Sequence, residues 1–554
     1  MTATAAARLR ALSLAAAMAL LLTGLGRIGL WAPDEPRYAE VAEEVRSLAR
    51  GPSDLVLLHL NGEPYDQKPP LYYWLAALAG APGGRVTEFD ARLPSALAGI
   101  AAVALTIGFG VRLFGPAAGL LAGALLLTTA EFAHLGRRVA LDVLLTLLEA
   151  AALVAFWRLD RGEPRRGRWL AALHGAMGLA VLTKGPVGFL VPSLVIVAFL
   201  AWERRLREIG RFFPAWGLAL SLGPGLAWIG AAIALAPKGF AADAVWRNLI
   251  GRFFQGTSHP RPGLYYFLQF PVLGLPWTLL WPLVAALGAR RVLRANAEPE
   301  RARAWRFLLA WIGTMFVFFS LSSGKRGLYM LPAAPAAALL CADAVVAVAA
   351  ARATWPRVIS ALLAVCGVLL AGGALVVSFH RVVTHVEVPR SFGIAVTVVI
   401  ALAFLAWRLL GRRLAGASRL LAQAAVVAAA VLGVELAGFV LLFPAFDGVK
   451  SPRPIAEAAA AEVPPGGAIG LVGSEGLLGG LVYYGQRPVR ELPNDDAVAR
   501  FAASGGRAIV VQKVELSRVT RVVAVEEISR MRAGRRSVLV VRPVPRPQAP
   551  PADP

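Results

Sequence analysis

The sequence predicts a polytopic α-helical membrane protein of about 13 spans with a small C-terminal α/β domain outside the membrane. Three observations support this fold class: repeated long apolar runs, an alternating distribution of arginine, and a change of composition after residue 444. Of the 554 residues, 57% are hydrophobic and 16% are charged, and the mean hydropathy is +0.62. Soluble domains carry about 25% charged residues. A soluble enzyme of this length and a disordered chain are therefore excluded.

Membrane spans are predicted where roughly 20 consecutive residues are predominantly apolar. The predicted spans are 11–30, 93–112, 116–134, 140–158, 169–183, 186–202, 213–236, 265–287, 304–322, 328–350, 356–378, 393–411 and 420–443. The stretch 169–202 is divided in two because Gly185 and Pro186 interrupt it. The first span follows Arg8 and Arg10 and resembles a signal peptide. It lacks a clear small-residue cleavage site and more spans follow, so we interpret it as uncleaved.

The arginine distribution predicts the orientation, because cytoplasmic loops carry an excess of basic residues. One alternating set of loops contains Arg161, Arg165, Arg166, Arg168, Arg204, Arg205, Arg207, Arg211, Arg290, Arg291, Arg294, Arg301, Arg303, Arg306, Arg352, Arg357, Arg412, Arg413 and Arg419. The long loop 31–70 falls on the opposite side, with eight acidic residues against four basic ones. We predict a multi-pass membrane protein with a cytoplasmic N-terminus. The net charge of +23 is then largely topological, and no nucleic-acid partner is expected.

Composition also predicts the domain organisation. The predicted parts are a transmembrane domain at 1–444 with periplasmic loops 31–92 and 237–265, a periplasmic α/β domain at 445–542 and a disordered tail at 543–554. Within the second part, short β-like runs occur at 468–472, 508–512 and 537–541, with a helical stretch at 495–503. The tail is rich in proline.

An acidic pair follows the first span, in the segment Trp31-Ala-Pro-Asp-Glu-Pro-Arg-Tyr-Ala-Glu40. Asp34 and Glu35 precede Pro36, a helix-start signal. The apolar residues that follow recur at helical spacing, which predicts an amphipathic helix on the outer membrane surface. Two interpretations remain open for the pair: a helix cap, or an acid/base or cation-binding site.

A second outside motif is Tyr65-Asp-Gln-Lys-Pro-Pro-Leu-Tyr-Tyr-Trp74. Tyr72 and Tyr73 suit the water–lipid interface or a sugar ring. Lys68 is interpreted either as an interfacial anchor or as a fixed cation for a phosphate.

Further polar residues collect at the same predicted face. They are Asp142 at the start of a span, Lys184 and Lys325 at outside turns, Tyr329, and Arg252 with His259 in the second large loop. Acidic residues within spans are costly and often functional. For Glu149, Asp343 and Glu435, structural polar contacts between helices are the favoured interpretation. Carboxylates, cations and aromatic rings on one membrane face are what an anionic lipid headgroup with a sugar requires.

Several known motifs are absent from the sequence. No phosphate-binding P-loop, no convincing dinucleotide-binding glycine motif, no His-Glu-x-x-His and no Gly-x-Ser-x-Gly occurs. A donor bound from outside the cytoplasm is expected to be a lipid-phosphate sugar rather than a nucleotide sugar.

Taken in order, these elements resemble the bacterial aminoarabinose lipid A transferases and the wider protein-mannosyltransferase-like glycosyltransferases of the C superfamily. The resemblance rests on Asp34-Glu35-Pro-Arg-Tyr-Ala-Glu, Lys68-Pro-Pro-Leu-Tyr-Tyr-Trp, Arg92-Leu-Pro-Ser, Leu141-Asp142, Thr183-Lys184-Gly-Pro, and Lys325 with Tyr329-x-Leu-Pro. It covers about residues 10–340. It implies 13 spans, a periplasmic soluble domain and an undecaprenyl-phosphate sugar donor.

The resemblance also implies roles for individual residues. Asp34 matches a catalytic acid, and Asp142 matches a second acid of the site. Residues implied around the donor phosphate are Arg37, Lys68, Arg252, Lys325 and Tyr329. Glu35 is also a candidate catalytic residue. The candidate substrate contacts are Lys184, Tyr72, Tyr73 and His259.

This chain departs from the family pattern at two places. Gln67 stands where a metal-binding Glu usually precedes the lysine, and Asn248-Leu249 replaces an acid–His pair. The binding of a divalent metal is therefore left open.

The sequence thus predicts a glycosyltransferase that moves a sugar from polyprenyl phosphate to lipid A, another envelope glycan or a protein. The alternative class is a lipid or ion transporter.

Overall fold

A computed structural model of the chain describes residues 3–243, 261–293, 298–350, 388–533 and 536–544, together with positions 361, 365 and 386. The helices up to residue 450 are α1 Ala3–Leu22, α2 Asp34–Ser47, α3 Leu71–Gly80, α4 Glu88–Phe114, α5 Pro116–Leu127, α6 Ala130–Gly136, α7 Leu141–Asp160, α8 Arg166–Lys184, α9 Val187–Trp202, α10 Ala215–Leu235, α11 Tyr265–Leu273, α12 Trp281–Leu293, α13 Pro299–Leu321, α14 Ala334–Ala350, α15 Arg390–Arg413, α16 Gly416–Ala437 and α17 Phe443–Lys450.

Each predicted span except 356–378 coincides with a helix or a bent helix pair, and that span lies outside the described residues apart from two single positions. Within the described part, six helices are long and apolar enough to cross a membrane, or eight if each of two bent pairs is one span. The number thirteen therefore stays a prediction. The first helix ends earlier than predicted: α1 ends at Leu22, and Gly24 after it adopts a positive φ of 66°.

Helix α7 connects two chemically different ends of the helical bundle. It begins beside Asp142 and ends at Asp160, whose carboxylate accepts hydrogen bonds from Arg205 at 2.8 Å and Arg303 at 2.6 Å. Its 20 residues correspond to about 30 Å, the thickness of a bilayer hydrocarbon core.

The acids predicted to make polar contacts between helices behave differently. Asp343 accepts hydrogen bonds from Arg291, Arg301 and Trp305, as predicted. The prediction is wrong for Glu149 and Glu435, since neither carboxylate has a hydrogen-bond partner within the described residues.

The loop after α1 folds against protein rather than lipid. Helix α2 forms where predicted, and Val41 and Ala42 are fully buried on its apolar face. That face packs against α3 and a helix of the C-terminal domain, so the prediction of a membrane-surface helix is wrong. A short antiparallel hairpin, β1 His59–Leu60 and β2 Glu63–Pro64, follows α2.

The C-terminal domain contains α18 Arg453–Glu462, β3 Ile469–Val472, α19 Leu478–Gly485, β4 Val489–Glu491, α20 Asp495–Ala503, β5 Ile509–Gln512, α21 Leu516–Val522, β6 Ala524–Ala533 and β7 Arg536–Val544. Its five-stranded sheet has the order β4-β3-β5-β7-β6. The first three strands are parallel, and β7 pairs antiparallel with β5 and β6. Three strands and one helix were predicted, whereas β4 and β6 were not. Strand β7 extends two residues into the predicted tail, and 545–554 lies outside the described residues.

Direct hydrogen bonds dock this domain onto the first loop. The side chain of Asn61 donates to the carbonyl of Val489 at 2.8 Å and accepts from its N–H at 2.9 Å. The hydroxyl of Tyr483 donates to the carbonyl of Val86 at 2.6 Å, and the hydroxyl of Tyr484 accepts from the N–H of Leu30 at 2.7 Å.

Gly479 allows α19 to approach α2 closely, and its replacement tests this docking. A Cβ at Gly479 would lie 2.4 Å from the Cα of Arg37, so the two helices would have to separate. We expect Gly479→Ala to lower the free energy of unfolding by about 1–3 kcal/mol, measured by thermal unfolding of the purified protein in detergent. The control is Gly448→Ala, where no atom lies within 4 Å of the added Cβ. Equal stability of the two variants would contradict the packing described.

Candidate active site

A cavity of about 220 Å³ opens where the first loop meets the ends of several membrane helices. It is several times larger than the roughly 30 Å³ that one water occupies. Its polar lining residues include Asp34, Lys68, Arg138, Asp142, Lys184, Arg326 and Tyr329. Residues predicted from distant parts of the sequence are thus brought to one place.

Asp34 is the first residue of α2, and its carboxylate faces this cavity. One oxygen lies 3.5 Å from Arg37, and the other accepts a hydrogen bond from Arg326 at 3.0 Å. The side chain keeps 27% of its surface exposed. Asp34 makes no side-chain cap to the helix. The arrangement fixes the carboxylate by two cations and leaves part of it accessible to a ligand.

Glu35, by contrast, is enclosed and fully used by protein partners. Arg92 donates to both carboxylate oxygens at 3.0 Å, and Arg138 lies 3.2 Å from one of them. The carboxylate of Glu35 also accepts hydrogen bonds from the backbone N–H groups of Trp31 and Val139, at 2.8 and 2.9 Å. Such a carboxylate positions its neighbours, so we assign Glu35 a positioning role.

Opposing effects determine the protonation of Glu35. Burial raises its pKa, but the positive charges of Arg92 and Arg138 outweigh burial, and the pKa is lowered from 4.5 to about 2. Glu35 is therefore ionised at neutral pH and holds Arg138 at the cavity wall, where that guanidinium also stacks 4.4 Å above the ring of Trp31.

Another part of the cavity lining is formed by an ion pair between helices α7 and α8. Lys184, at the end of α8, hydrogen-bonds to Asp142, at the start of α7. The Lys184 ammonium group also lies 4.5 Å from the ring centroid of Tyr329. These three predicted residues therefore form one unit in the lining of the cavity that also includes Asp34.

Lys68 lines the cavity as predicted, and its neighbour Gln67 contacts a second cation. The side-chain oxygen of Gln67 accepts a hydrogen bond from Arg37 at 3.1 Å. Arg37 thus bridges Asp34 and Gln67 at the rim.

Lys325 is turned away from the cavity, unlike its neighbour Arg326. Its ammonium group donates to the carbonyls of Ser322 and, at 3.4 Å, Arg261, and only 4% of the residue is exposed. Lys325 is not among the residues that line this cavity, whereas Arg326 is. The phosphate contact of Lys325 stays a prediction.

Tyr72 and Tyr73 require a correction of the predicted substrate contact. Both are fully buried in the helical core. The hydroxyl of Tyr72 bonds to Ser95 at 2.7 Å and to the carbonyl of Ala91 at 3.0 Å, while Tyr73 packs edge-on against Tyr65. Proline residues 69 and 70 start α3 just before these rings and direct them inward.

Two further predicted residues, Arg252 and His259, lie outside the described residues. Conversely, Arg138 was not among the predicted site residues, although it lies four residues before Asp142. A second signal was available for Arg138, since a basic pair at the outer end of a span opposes the normal charge distribution.

A metal site was tested against the side chains present. Among the described residues, no group of three or more His, Cys, Asp and Glu side chains could hold a metal ion. Gln67, at the position of the family's metal ligand, already accepts from Arg37. The described residues do not form a metal site.

Comparison with known proteins agrees with the resemblance seen in the sequence. The family model of dolichyl-phosphate-mannose-protein mannosyltransferases matches residues 67–228. Proteins named undecaprenyl phosphate-alpha-4-amino-4-deoxy-L-arabinose arabinosyl transferase are similar over a longer region. Over these regions the chain is similar to the protein-mannosyltransferase-like glycosyltransferases.

Two relatives illustrate the extent of this similarity. The arabinosyl transferase of Aeromonas salmonicida is 33% identical over 330 residues, which is 57% of this chain and 56% of that protein. That of Pseudomonas paraeruginosa is 34% identical over 334 residues, 59% of this chain and 57% of the relative. The matched region thus spans little more than half the length of these relatives.

Two solved structures share the fold over almost the whole chain. ArnT from Cupriavidus metallidurans bound to undecaprenyl phosphate superposes with a TM-score of 0.74, at 24% identity, covering 96% of this chain and 97% of ArnT. The archaeal oligosaccharyltransferase AglB from Archaeoglobus fulgidus superposes with a TM-score of 0.53 at 13% identity, covering 92% and 70%. The chain is therefore a multi-pass membrane protein, and the predicted fold class is confirmed.

The Glu35 ion pairs predict a defined pH dependence of the stability of this protein. Because the folded-state pKa is depressed, the stabilisation by Glu35 is complete above about pH 4.5 and is lost as the pH falls toward about 2. We expect Glu35→Gln to cost about 3 kcal/mol at pH 7, because a buried cation pair loses its anion. Thermal unfolding in detergent should show the difference from wild type shrinking by about half as the pH is lowered from about 5 to about 3.

Glu63→Gln is the matched control, because Glu63 is an exposed acid of the same loop. A stability difference for Glu35→Gln that stayed constant over this pH range would rule out the ionic role.

Proposed function

We propose that this protein transfers a sugar from an undecaprenyl-phosphate donor to a periplasmic acceptor, with aminoarabinose and lipid A as the first candidates. The names of the relatives support the donor, and the fold shared with ArnT supports a lipid-bound substrate. The observation that carries the proposal is the cavity, because it joins two carboxylates and several cations at the ends of membrane helices.

The proposed role of the cations is to stabilise the departing lipid phosphate. Transfer breaks the bond between the anomeric carbon and a phosphate oxygen, so negative charge builds up on the phosphate. Lys68, Arg138 and Arg326 line the cavity at fixed positions, and fixed donors lower the barrier without having to reorganise. Arg138 and Arg326 thereby make the contact with the donor phosphate that was expected of Lys325.

The proposed role of Asp34 is to receive the acceptor. If the nucleophile is a hydroxyl, Asp34 takes its proton as the new bond to the anomeric carbon forms. If the nucleophile is an ionised phosphate, no base is needed and Asp34 orients the sugar. Arg37 and Arg326 hold the carboxylate in place for either role.

Asp142 and Lys184 form the proposed binding wall for the sugar. Their ion pair offers carboxylate oxygens to sugar hydroxyls and an ammonium group to the donor phosphate. The ring of Tyr329 beside Lys184 presents an apolar surface to a sugar ring.

The proposed orientation places this cavity and the C-terminal domain in the periplasm and the N-terminus in the cytoplasm of a bacterial inner membrane. It is supported by the arginine-rich end of the bundle, where Arg205, Arg303 and Arg306 pair with Asp160 and Glu203. The domain division at residues 444 and 445 is retained as part of the proposal. A transporter, the alternative class, receives no support from the relatives, which are named transferases.

The proposed roles of Asp34 and Lys68 can be separated by substitution. We expect Asp34→Asn to lower turnover by about a hundredfold or more while undecaprenyl phosphate still binds. Lys68→Ala should lower kcat/KM by about a hundredfold or more and weaken undecaprenyl-phosphate binding as well, because it removes a cation from the phosphate. Sugar transfer to lipid A in detergent and equilibrium binding provide the two measurements.

Matched controls are Glu63→Gln and Lys238→Ala, since both side chains are exposed away from the cavity. Near-normal turnover in both Asp34→Asn and Lys68→Ala, with normal turnover in the controls, would refute the proposed function.

A further inference from the structure

A second, larger cavity of about 710 Å³ lies between the first loop and the C-terminal sheet. The loop contributes Pro33, Arg37 and Gln67, and α17 contributes its last residue, Lys450. The sheet side contributes Ser474, Glu491 and Arg536. The cavity is therefore complete only when the C-terminal domain is docked.

The sheet topology places this cavity where ligands bind in open α/β sheets. Strand β3 pairs in parallel with β4 on one side and with β5 on the other, so the chain changes direction across the sheet at β3. Ligands bind outside the carboxyl ends of parallel strands at such a switch point. Ser474 lies two residues after the end of β3, and Glu491 is the last residue of β4.

The charges that line the cavity favour an anion. Arg37, Lys450 and Arg536 come from three separate segments, and Glu491 is the acidic side chain among the lining residues. Lys450 and Arg536 are exposed to solvent. Cations that converge from separate elements onto one cavity suit a phosphate group.

The two cavities are neighbours. Ala32 and Pro33 line both of them, and Arg37 of the second cavity lies 3.5 Å from Asp34 of the first. A ligand in the second cavity would therefore lie beside the carboxylate assigned to the acceptor.

The lining also separates the two substrates. The first cavity includes Asp142 and Lys184 at the ends of membrane helices, as a donor whose lipid chain stays in the bilayer requires. The second is lined by residues 32–67 of the loop and 450–538. Lys450 is the last residue of an apolar helix that is long enough to cross a membrane, and the other lining residues lie outside such helices among the described residues. The second cavity therefore suits a polar headgroup that stands above the lipid.

We propose that the second cavity binds a phosphate-bearing headgroup of the acceptor, and that the C-terminal domain thereby selects the acceptor. This inference rests on the proposed function and adds the acceptor site to it. Lys450 and Arg536 would contact the phosphate, while Ser474 would hydrogen-bond to the headgroup.

Equilibrium binding to the purified full chain in detergent tests this site without requiring turnover. The probes are lipid A, enzymatically dephosphorylated lipid A and undecaprenyl phosphate. We expect Lys450→Ala and Arg536→Ala each to weaken lipid A binding about tenfold, the effect of losing a charge-assisted hydrogen bond. Dephosphorylated lipid A should bind wild type and variants equally weakly, and the Kd of undecaprenyl phosphate should change less than about twofold.

Arg500→Ala is the matched control, because Arg500 is an exposed arginine of the same domain that does not line the cavity. Lipid A affinities of both variants equal to that of Arg500→Ala would overturn the proposal, as would an equal loss of undecaprenyl-phosphate affinity. Inorganic phosphate is the competing probe for a free anion, and displacement of lipid A by micromolar phosphate would also overturn it. Failure of wild type to transfer any sugar would instead refute the proposed function, and the binding comparison would still decide the cavity.

Discussion

The buried pair of Arg92 and Glu35 is the interaction on which the site depends. Arg92 is fully buried in α4 and also donates to the carbonyls of Leu25, Ile28 and Gly29. These carbonyls belong to the unwound segment after α1, so Arg92 supplies the donors that a continuing helix would have supplied. Glu35 neutralises Arg92 and reaches Arg138 and Val139 ahead of α7. One ion pair therefore fixes α1, α2, α4 and α7 relative to each other and places Asp34.

Much of this architecture could be predicted from hydropathy and charge, because span length and arginine bias are properties of local sequence. The helix 495–503 and three strands were predicted for the same reason, since their apolar periodicity is plain. Strand β6 was missed because it alternates charged residues at the sheet edge. Strand β4 was missed because three residues are too few to form a pattern.

The site residues illustrate what sequence patterns leave undetermined. Lys325 and Arg326 are adjacent cations, and only the backbone of the turn decides which one faces the cavity. Tyr72 and Tyr73 resemble interfacial aromatics, yet α3 packs inside the protein and carries them into the core. The same holds for α2, whose amphipathic pattern predicts burial but does not distinguish a lipid surface from another helix.

The contact between Asn61 and Val489 has a consequence for self-association. Strand β4 is an edge strand of the sheet. The unpaired backbone groups of an edge strand can pair with a strand of another chain. Asn61 occupies both backbone hydrogen-bonding groups of Val489, as a neighbouring strand would. The hairpin of the first loop thus covers that edge of the sheet. Separating the C-terminal domain from the first loop would expose an edge strand that is prone to aggregation.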